Sequence, residues 1–547
     1  MSTVFFDDHG FQLYSQVITD IDEQPLWVWG LASRTWPGWL MEGVRTGLAY
    51  RLQPGRRGER WLALLRPDKL ERRQRTKTAV RFTWAPNRHG LALGLEFRVW
   101  PDLAPGLVAW RLYVRHRGHR PVWLERWLLA EVGPWRPAPP GVFGRLVGLP
   151  KRFLRREAPP ETPSPGAVRL HDSPATLGFY SQSWTSWGEV RLYWEHHNER
   201  QRSHWLDRLT PPRYVPGAPI TGVPNQFWSD FFGIILDQQH QRGLVAGFLT
   251  QIHYYGGAQV WLHHLHPALR VLALGDGVRL DPGAEARSDW AVLYMFPLDE
   301  AHGLDPYLRL AAYLAGRRSP TPAGPPTGWH SWFAFYRSLT QEDLIKHLHY
   351  AVQWRQKGLK LDVFHIDEGY SEKPAQWAID RRRFPDGLRA LAQQIRARGF
   401  TPGIWQAPLL LVGRVSARYR NMVLRCRWRR PCLAFWGWNT RVWGLDPTHP
   451  HVVSRAVRWA LDAAHKGFRF LKLDFLCAGA LNGQRHNQTL SRAQALRLLL
   501  RQVVQRFRDE AGPAAQIAMG GMPLGSALGL ADVARTGPDV SLTWDPD

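Results

Sequence analysis

The stretch "RFLKLDFL", residues 469–476, has the apolar character of a buried β-strand, yet it carries Lys472 and Asp474 two positions apart. Successive side chains of a strand alternate between faces, so these two charged groups share one face. Two further segments bring acids to comparable places. "FHIDEGY" closes on Asp367 and Glu368, and "RTGPD" flanks a tight turn with Arg535 and Asp539. Taken singly, each has a plain structural account: a buried ion pair, a helix-capping acid, a loop salt bridge. Three apolar runs that each end in a carboxylate point elsewhere when taken together. Paired carboxylates around a water-poor pocket, one as nucleophile and one as proton donor, are what cleavage of a glycosidic bond requires.

The elements that must position these groups are legible from residue 328 onward, where strand and helix patterns alternate. "TGWHSWFAFY" is followed by "TQEDLIKHLHYAVQWRQKG", in which Thr340 precedes Glu342 and Asp343 as a helix start. "LDVFHIDEGY", "DGLRALAQQIRARG" and "FTPGIWQAPLLL" come next, then "HPHVVSRAVRWALDAAHKG", "FRFLKLDF", "TLSRAQALRLLLRQVVQRFRDE", "QIAMGG" and "VARTGPDVSLTW". This rhythm predicts a parallel sheet, most simply a (β/α)8 TIM-type barrel of which about six βα units are present. Such barrels gather their active-site groups at the C-terminal ends of the strands, where the acids fall.

Upstream, residues 1–300 read as an N-terminal all-β sandwich, with short alternating runs such as "GLALGLEFRVW" and "GLVAWRLYVRHR" broken by Gly, Pro and Asn. The Pro-rich basic stretch 134–166 reads as a surface insertion, and 301–327, "DPYLRLAAYLAGRR" followed by "SPTPAGPPT", as a helical and Pro-rich linker. Residues 328–547 are then the catalytic barrel.

At 547 residues and 44% apolar content the chain is globular and multidomain. No run of eighteen apolar residues occurs, and "MSTVFFDDHG" lacks a signal-peptide pattern, so a soluble cytoplasmic protein with no membrane partner is expected. The net charge of +25 is almost all arginine and is scattered over separate segments, which argues for solvated faces rather than a nucleic-acid stripe. Three cysteines, Cys426, Cys432 and Cys477, argue against a disulfide scaffold and against a four-cysteine zinc site, and no metal or cofactor site is legible. The 29 tryptophans suit stacking on sugar rings as well as core packing. A homo-oligomer is compatible with the sequence but not indicated by it.

The catalytic half resembles the melibiase-type α-galactosidases of glycoside hydrolase family 36. "GWHSW" at 328, "IDEGY", "PGIWQAP", "KLDF" and "RTGPDV" resemble that family's motifs in the family's order, and "SQSWTSWG" resembles an element through which the sandwich lends a tryptophan to the pocket. The resemblance implies a retaining hydrolase of terminal α-galactosides, with an oligosaccharide or glycoside as partner and no cofactor. It makes Asp474 the nucleophile and Asp539 the general acid/base. Lys472 and Arg535 would bind hydroxyls and orient the carboxylates, Trp405 would form an apolar wall, and Trp184 would be the sandwich's contribution. Asp367 and Glu368 would accept hydrogen bonds from O4 and O6 of galactose. A transglycosylase of the raffinose-synthase type and an inactive carbohydrate-binding relative are the other readings.

Three departures accompany the resemblance. Glu368 stands where the family has aspartate, and "MGGMP" puts Gly520 and Met522 where cysteine and serine are expected. The family pattern also implies two more strand-helix units and a C-terminal β-domain beyond Asp547, so the chain is expected to be a fragment.

Overall fold

The structure, a computed structural model, describes residues 2–8, 10–19, 23–54, 59–133, 135, 166–201, 209–219, 222–262, 267–316, 325–426, 430–535, 537 and 539. Most of the expected insertion at 134–166 and most of the Pro-rich segment at 319–327 lie outside these residues.

Two ten-stranded antiparallel sheets account for the strands up to Pro297. Leu40–Arg51, Val122–Val132 and Ala268–Leu280 run through the middle of one sheet, and Ala104–His116, Ala291–Pro297 and Arg242–Phe248 through the other. Their inner faces share one core. Trp29 of the first sheet meets Trp110 of the second edge to face, with centroids 5.1 Å apart, and Trp110 Nε1 donates to Leu129 O across the gap at 2.9 Å. Large aromatics fill such an interlayer well, provided each buried N–H finds an acceptor. Glu131 is buried in the same region between two guanidiniums, Arg45 and Arg270.

Beyond residue 327 the backbone changes to a six-stranded parallel sheet whose strands follow chain order. These are β1 (Gly328–His330), β2 (Val363–Ile366), β3 (Thr401–Gln406), β4 (Phe470–Leu473), β5 (Gln516–Met519) and β6 (Val533–Ala534). Helices α1 (Gln341–Gln356), α2 (Gly387–Ala397), α3 (Pro450–His465) and α4 (Arg492–Ala511) lie between them in the chain. Thr340 and Ser491 each close a capping box, with Asp343 and Gln494 respectively, satisfying N–H groups that the first turn leaves free. Among the described residues, β1 and β6 are the two edges of this sheet.

The strands are shorter than the apolar runs suggest. "TGWHSWFAFY" leaves the sheet at His330 and forms a short helix over Trp332–Phe335, and "RFLKLDFL" is strand only as far as Leu473. The cysteine count also concealed a local pairing: Cys426 and Cys432 form a disulfide, leaving Cys477 free. Backbone bonds from Cys426 N to Arg430 O and from Cys432 N to Leu424 O, both 2.8 Å, fold this stretch back on itself and set the two Cα atoms 5.1 Å apart. No helix among the described residues is long and apolar enough to cross a membrane.

Candidate active site

The parallel register builds the site. Trp405 of β3 lies opposite Lys472 of β4, and Gly328, Trp329 and His330 lie opposite Val363, Phe364 and His365. Asp367 and Glu368 follow β2 directly, Asp474 follows β4, and Arg535 follows β6. Asp367, Glu368 and Asp474 thus stand at the C-terminal ends of two strands of one sheet, and Asp539 lies five positions beyond the end of β6.

Asp367, Lys472, Asp474 and Trp405 form one connected group. Lys472 Nζ donates to Asp367 Oδ2 at 2.9 Å and lies 3.6 Å from Asp474 Oδ2. Trp405 Nε1 donates to that same Asp474 oxygen at 3.0 Å, while the backbone N–H of Phe475 donates to Asp474 Oδ1 at 2.9 Å. Both carboxylate oxygens are therefore held by protein N–H groups. Gly520 completes the fit, because a Cβ built there would stand 2.6 Å from Asp474 Oδ1.

Asp367 is buried, and burial alone would raise its carboxyl, but Lys472 and His330 outweigh that cost and hold it well below the usual carboxylate range. Burial likewise pulls Lys472 down, and the charges of Asp367 and Asp474 more than restore it, so its ammonium is held above the ordinary lysine value. His330 Nε2 lies 2.9 Å and His365 Nε2 3.3 Å from Asp367 Oδ2. Burial pushes His365 down to about 3, so its imidazole is neutral at physiological pH. His330, His365 and Asp367 present ligand-type atoms within 4.8 Å of one another. Lys472, bonded to Asp367 and 3.3 Å from His330 Nε2, already supplies a cation to that group.

Glu368 is set differently. Its Oε1 receives Arg337 Nε at 3.2 Å and its Oε2 receives Ala375 N at 3.3 Å. Arg337 is one-third exposed and Glu368 almost wholly buried, so desolvation outweighs these contacts and the carboxyl is pushed up to about 7. Asp539 is half exposed, accepts a 3.0 Å bond from Trp332 Nε1 and pairs with Arg535.

The structure does not bring Trp184 to this group. Its ring is buried in the core and packs edge-on to Tyr255 at 5.5 Å. Trp187, three residues later, instead packs on Phe475 with centroids 4.6 Å apart. The sequence reading also passed over His330, His365, Trp332, Arg337 and Phe475. His365 had a visible signal, as a polar residue inside the apolar strand "VFHI" two positions before Asp367, whereas His330 ends its strand.

No family model matches the chain. A segment is 30% identical over 89 residues to the probable α-galactosidase B of Talaromyces emersonii, covering 15% of this chain and 20% of that relative, so the match spans about a fifth of the relative's length. Among solved structures, the α-galactosidase TtGalA from Thermus thermophilus, in complex with stachyose, is similar with a TM-score of 0.54 at 24% identity, over 87% of this chain and 80% of its own. The GH36 α-galactosidase AgaB from Geobacillus stearothermophilus is similar with a TM-score of 0.59 at 14% identity, over 98% of this chain and 75% of its own. The fold is that of the GH36 α-galactosidases. Both solved relatives extend beyond the matched part, and both align across the antiparallel and the parallel sheets of this chain.

Proposed function

We propose that the chain is a retaining glycosidase acting on terminal α-galactosides, built as an N-terminal β-sandwich over 1–300, a linker over 301–327 and a (β/α)8-type barrel from 328. Asp474 is the nucleophile: an oxygen of its carboxylate bonds to the anomeric carbon as the glycosidic C–O bond breaks, and Asp539 gives the departing oxygen its proton. Water then attacks the same carbon, Asp539 takes a proton from it, and Asp474 leaves. Lys472 and Arg535 bind sugar hydroxyls, Asp367 and Glu368 line the pocket, and Trp405 forms its apolar wall.

The observation that carries this reading is the holding of Asp474 from both sides, by Trp405 Nε1 at 3.0 Å and Phe475 N at 2.9 Å, with the Lys472 ammonium 3.6 Å away. Preorganised N–H donors around a carboxylate hold it ready to attack without reorganising during the reaction. Half-exposed Asp539, on Trp332 and Arg535, has the solvent access that a proton carrier needs.

Asp474→Ala is the direct test. Turnover of an aryl α-galactoside should vanish, and added azide should restore part of it by entering the vacated space and forming a glycosyl azide. Turnover near the original rate in Asp474→Ala would sink the assignment. Proton NMR of the first product released should show the α-anomer, and inversion would exclude the double displacement.

A further inference from the structure

Phe475 follows Asp474 with φ 55° and ψ 33°, the left-handed region that a bulky side chain rarely adopts. Residues held there against their preference cluster at functional sites, where the surrounding structure enforces the conformation. Here the enforcement comes from two separate parts of the chain. Trp187, which follows Leu177–Ser181 of the second antiparallel sheet, meets the Phe475 ring edge-on at 4.6 Å. On another side stands a small sheet formed by Leu410–Val412, Thr440–Gly444 and Leu433–Gly437. Its Phe435 stacks on Phe475 at 4.9 Å, and Trp438, at the turn of its hairpin, stands at 5.6 Å. Trp405 closes the enclosure edge-on at 6.5 Å.

The chain is pinned on both sides of this residue. Asp474 N donates to Gln406 O at 2.9 Å, and Cys477 N donates to Gly521 O at 2.8 Å. With both ends fixed, the peptide plane between Asp474 and Phe475 keeps its tilt only while Phe475 stays left-handed. That tilt aims the Phe475 N–H at Asp474 Oδ1, 2.9 Å away. Gly520 leaves the space into which this oxygen leans.

We propose that Phe475 is a positioning residue for the nucleophile: the aromatic enclosure of Trp187, Phe435 and Trp438 holds it left-handed, and its N–H thereby fixes the Asp474 carboxylate in its attacking orientation. This rests on the reading of Asp474 as nucleophile. The ring of Phe475 acts through its own backbone, and the antiparallel half of the chain, through Trp187, shares in setting up the chemistry.

The test is labelling with a 2-deoxy-2-fluoro-α-galactosyl fluoride, followed by intact mass and peptide mapping, alongside titration with a galactose-shaped iminosugar. In the unmodified protein the label should form on Asp474. Phe475→Gly keeps left-handed freedom but loses the ring, and Phe475→Ala loses both. The saturating labelling rate constant should fall about tenfold in the first and further in the second, with iminosugar affinity within threefold. Trp187→Ala should resemble Phe475→Gly, and Phe475→Tyr should restore the rate. Simple misfolding would lower the fraction finally labelled but leave the rate constant of the folded fraction unchanged, so the rate separates positioning from stability. Rate constants within twofold of the original in both Phe475→Gly and Phe475→Ala would overturn the proposal and leave Asp474 as nucleophile. A label found on another carboxylate, or none despite iminosugar binding, would remove the Asp474 assignment and this proposal with it.

Discussion

Trp405 and Lys472 lie directly across from each other on neighbouring parallel strands, and both reach a single oxygen, Asp474 Oδ2, at 3.0 and 3.6 Å. One contributes a neutral N–H and the other a full charge, so removing each has a different consequence.

Trp405→Phe keeps most of the apolar wall and deletes the N–H. A hydrogen bond to a charged group contributes about 1.5–3 kcal/mol, so kcat/KM for an aryl α-galactoside should drop by roughly 10- to 150-fold. Stopped assays at several substrate concentrations would decide it, and a drop below threefold would show that this bond does not orient the nucleophile.

Lys472→Met leaves Asp367 buried beside two imidazoles without its ammonium. Breaking a buried pair by removing one partner costs about 3–5 kcal/mol. Urea unfolding should show a loss of that order, and the further change Asp367→Asn should return part of it. Equal midpoints for the single and double variants would mean that Asp367 is not charged in the folded protein.

Glu368 predicts a pH dependence. Burial raises its folded carboxyl from an ordinary 4.5 to about 7, so the folded state holds this proton more tightly than the unfolded one. Its contribution is fully present below 4.5 and is lost as pH rises through about 7. Each pH unit in that interval costs about 1.4 kcal/mol, or about 3 kcal/mol across it. Glu368→Gln, which cannot titrate, should flatten the fall in unfolding free energy over that window. Parallel stability profiles for the two proteins would eliminate Glu368 as the titrating group.

Gly520→Ala places a methyl group 2.6 Å from where Asp474 Oδ1 now lies. The carboxylate must swing away from the Phe475 N–H, so kcat should fall at least tenfold while the thermal midpoint moves little. Unchanged kcat would show that the carboxylate has a second productive orientation.

The sequence made the alternation of strands and helices from residue 328 readable because its signals are local. Thr340 and Ser491 cap their helices through residues three positions on, and the acids sit beside short apolar runs. Other features depend on distant packing. Trp184 and Trp187 belong to one motif, and only the fit of that segment against Tyr255 and Phe475 decides which ring is buried and which meets the site. The left-handed turn at Phe475 carries no glycine to announce it. Arg337 gave no signal because its partner, Glu368, lies 31 positions away on the next strand end. The pairing of Cys426 with Cys432 likewise follows from a folded-back loop rather than from a count.

The buried Arg492 marks how these two halves can be inherited. Its Nε donates to Asp276 Oδ1 at 2.7 Å and its backbone N–H to Asp276 Oδ2 at 2.9 Å, although the two residues are 216 positions apart. A crossover between related genes that imports the parallel-sheet half without an acid at 276 would bury a guanidinium with no counter-ion, a defect costly enough to unfold a marginally stable chain. Viable recombinants must therefore keep an acid at 276 opposite Arg492, whichever parent supplies it. The two halves are thus tied to each other by a buried charge pair that no short stretch of sequence contains.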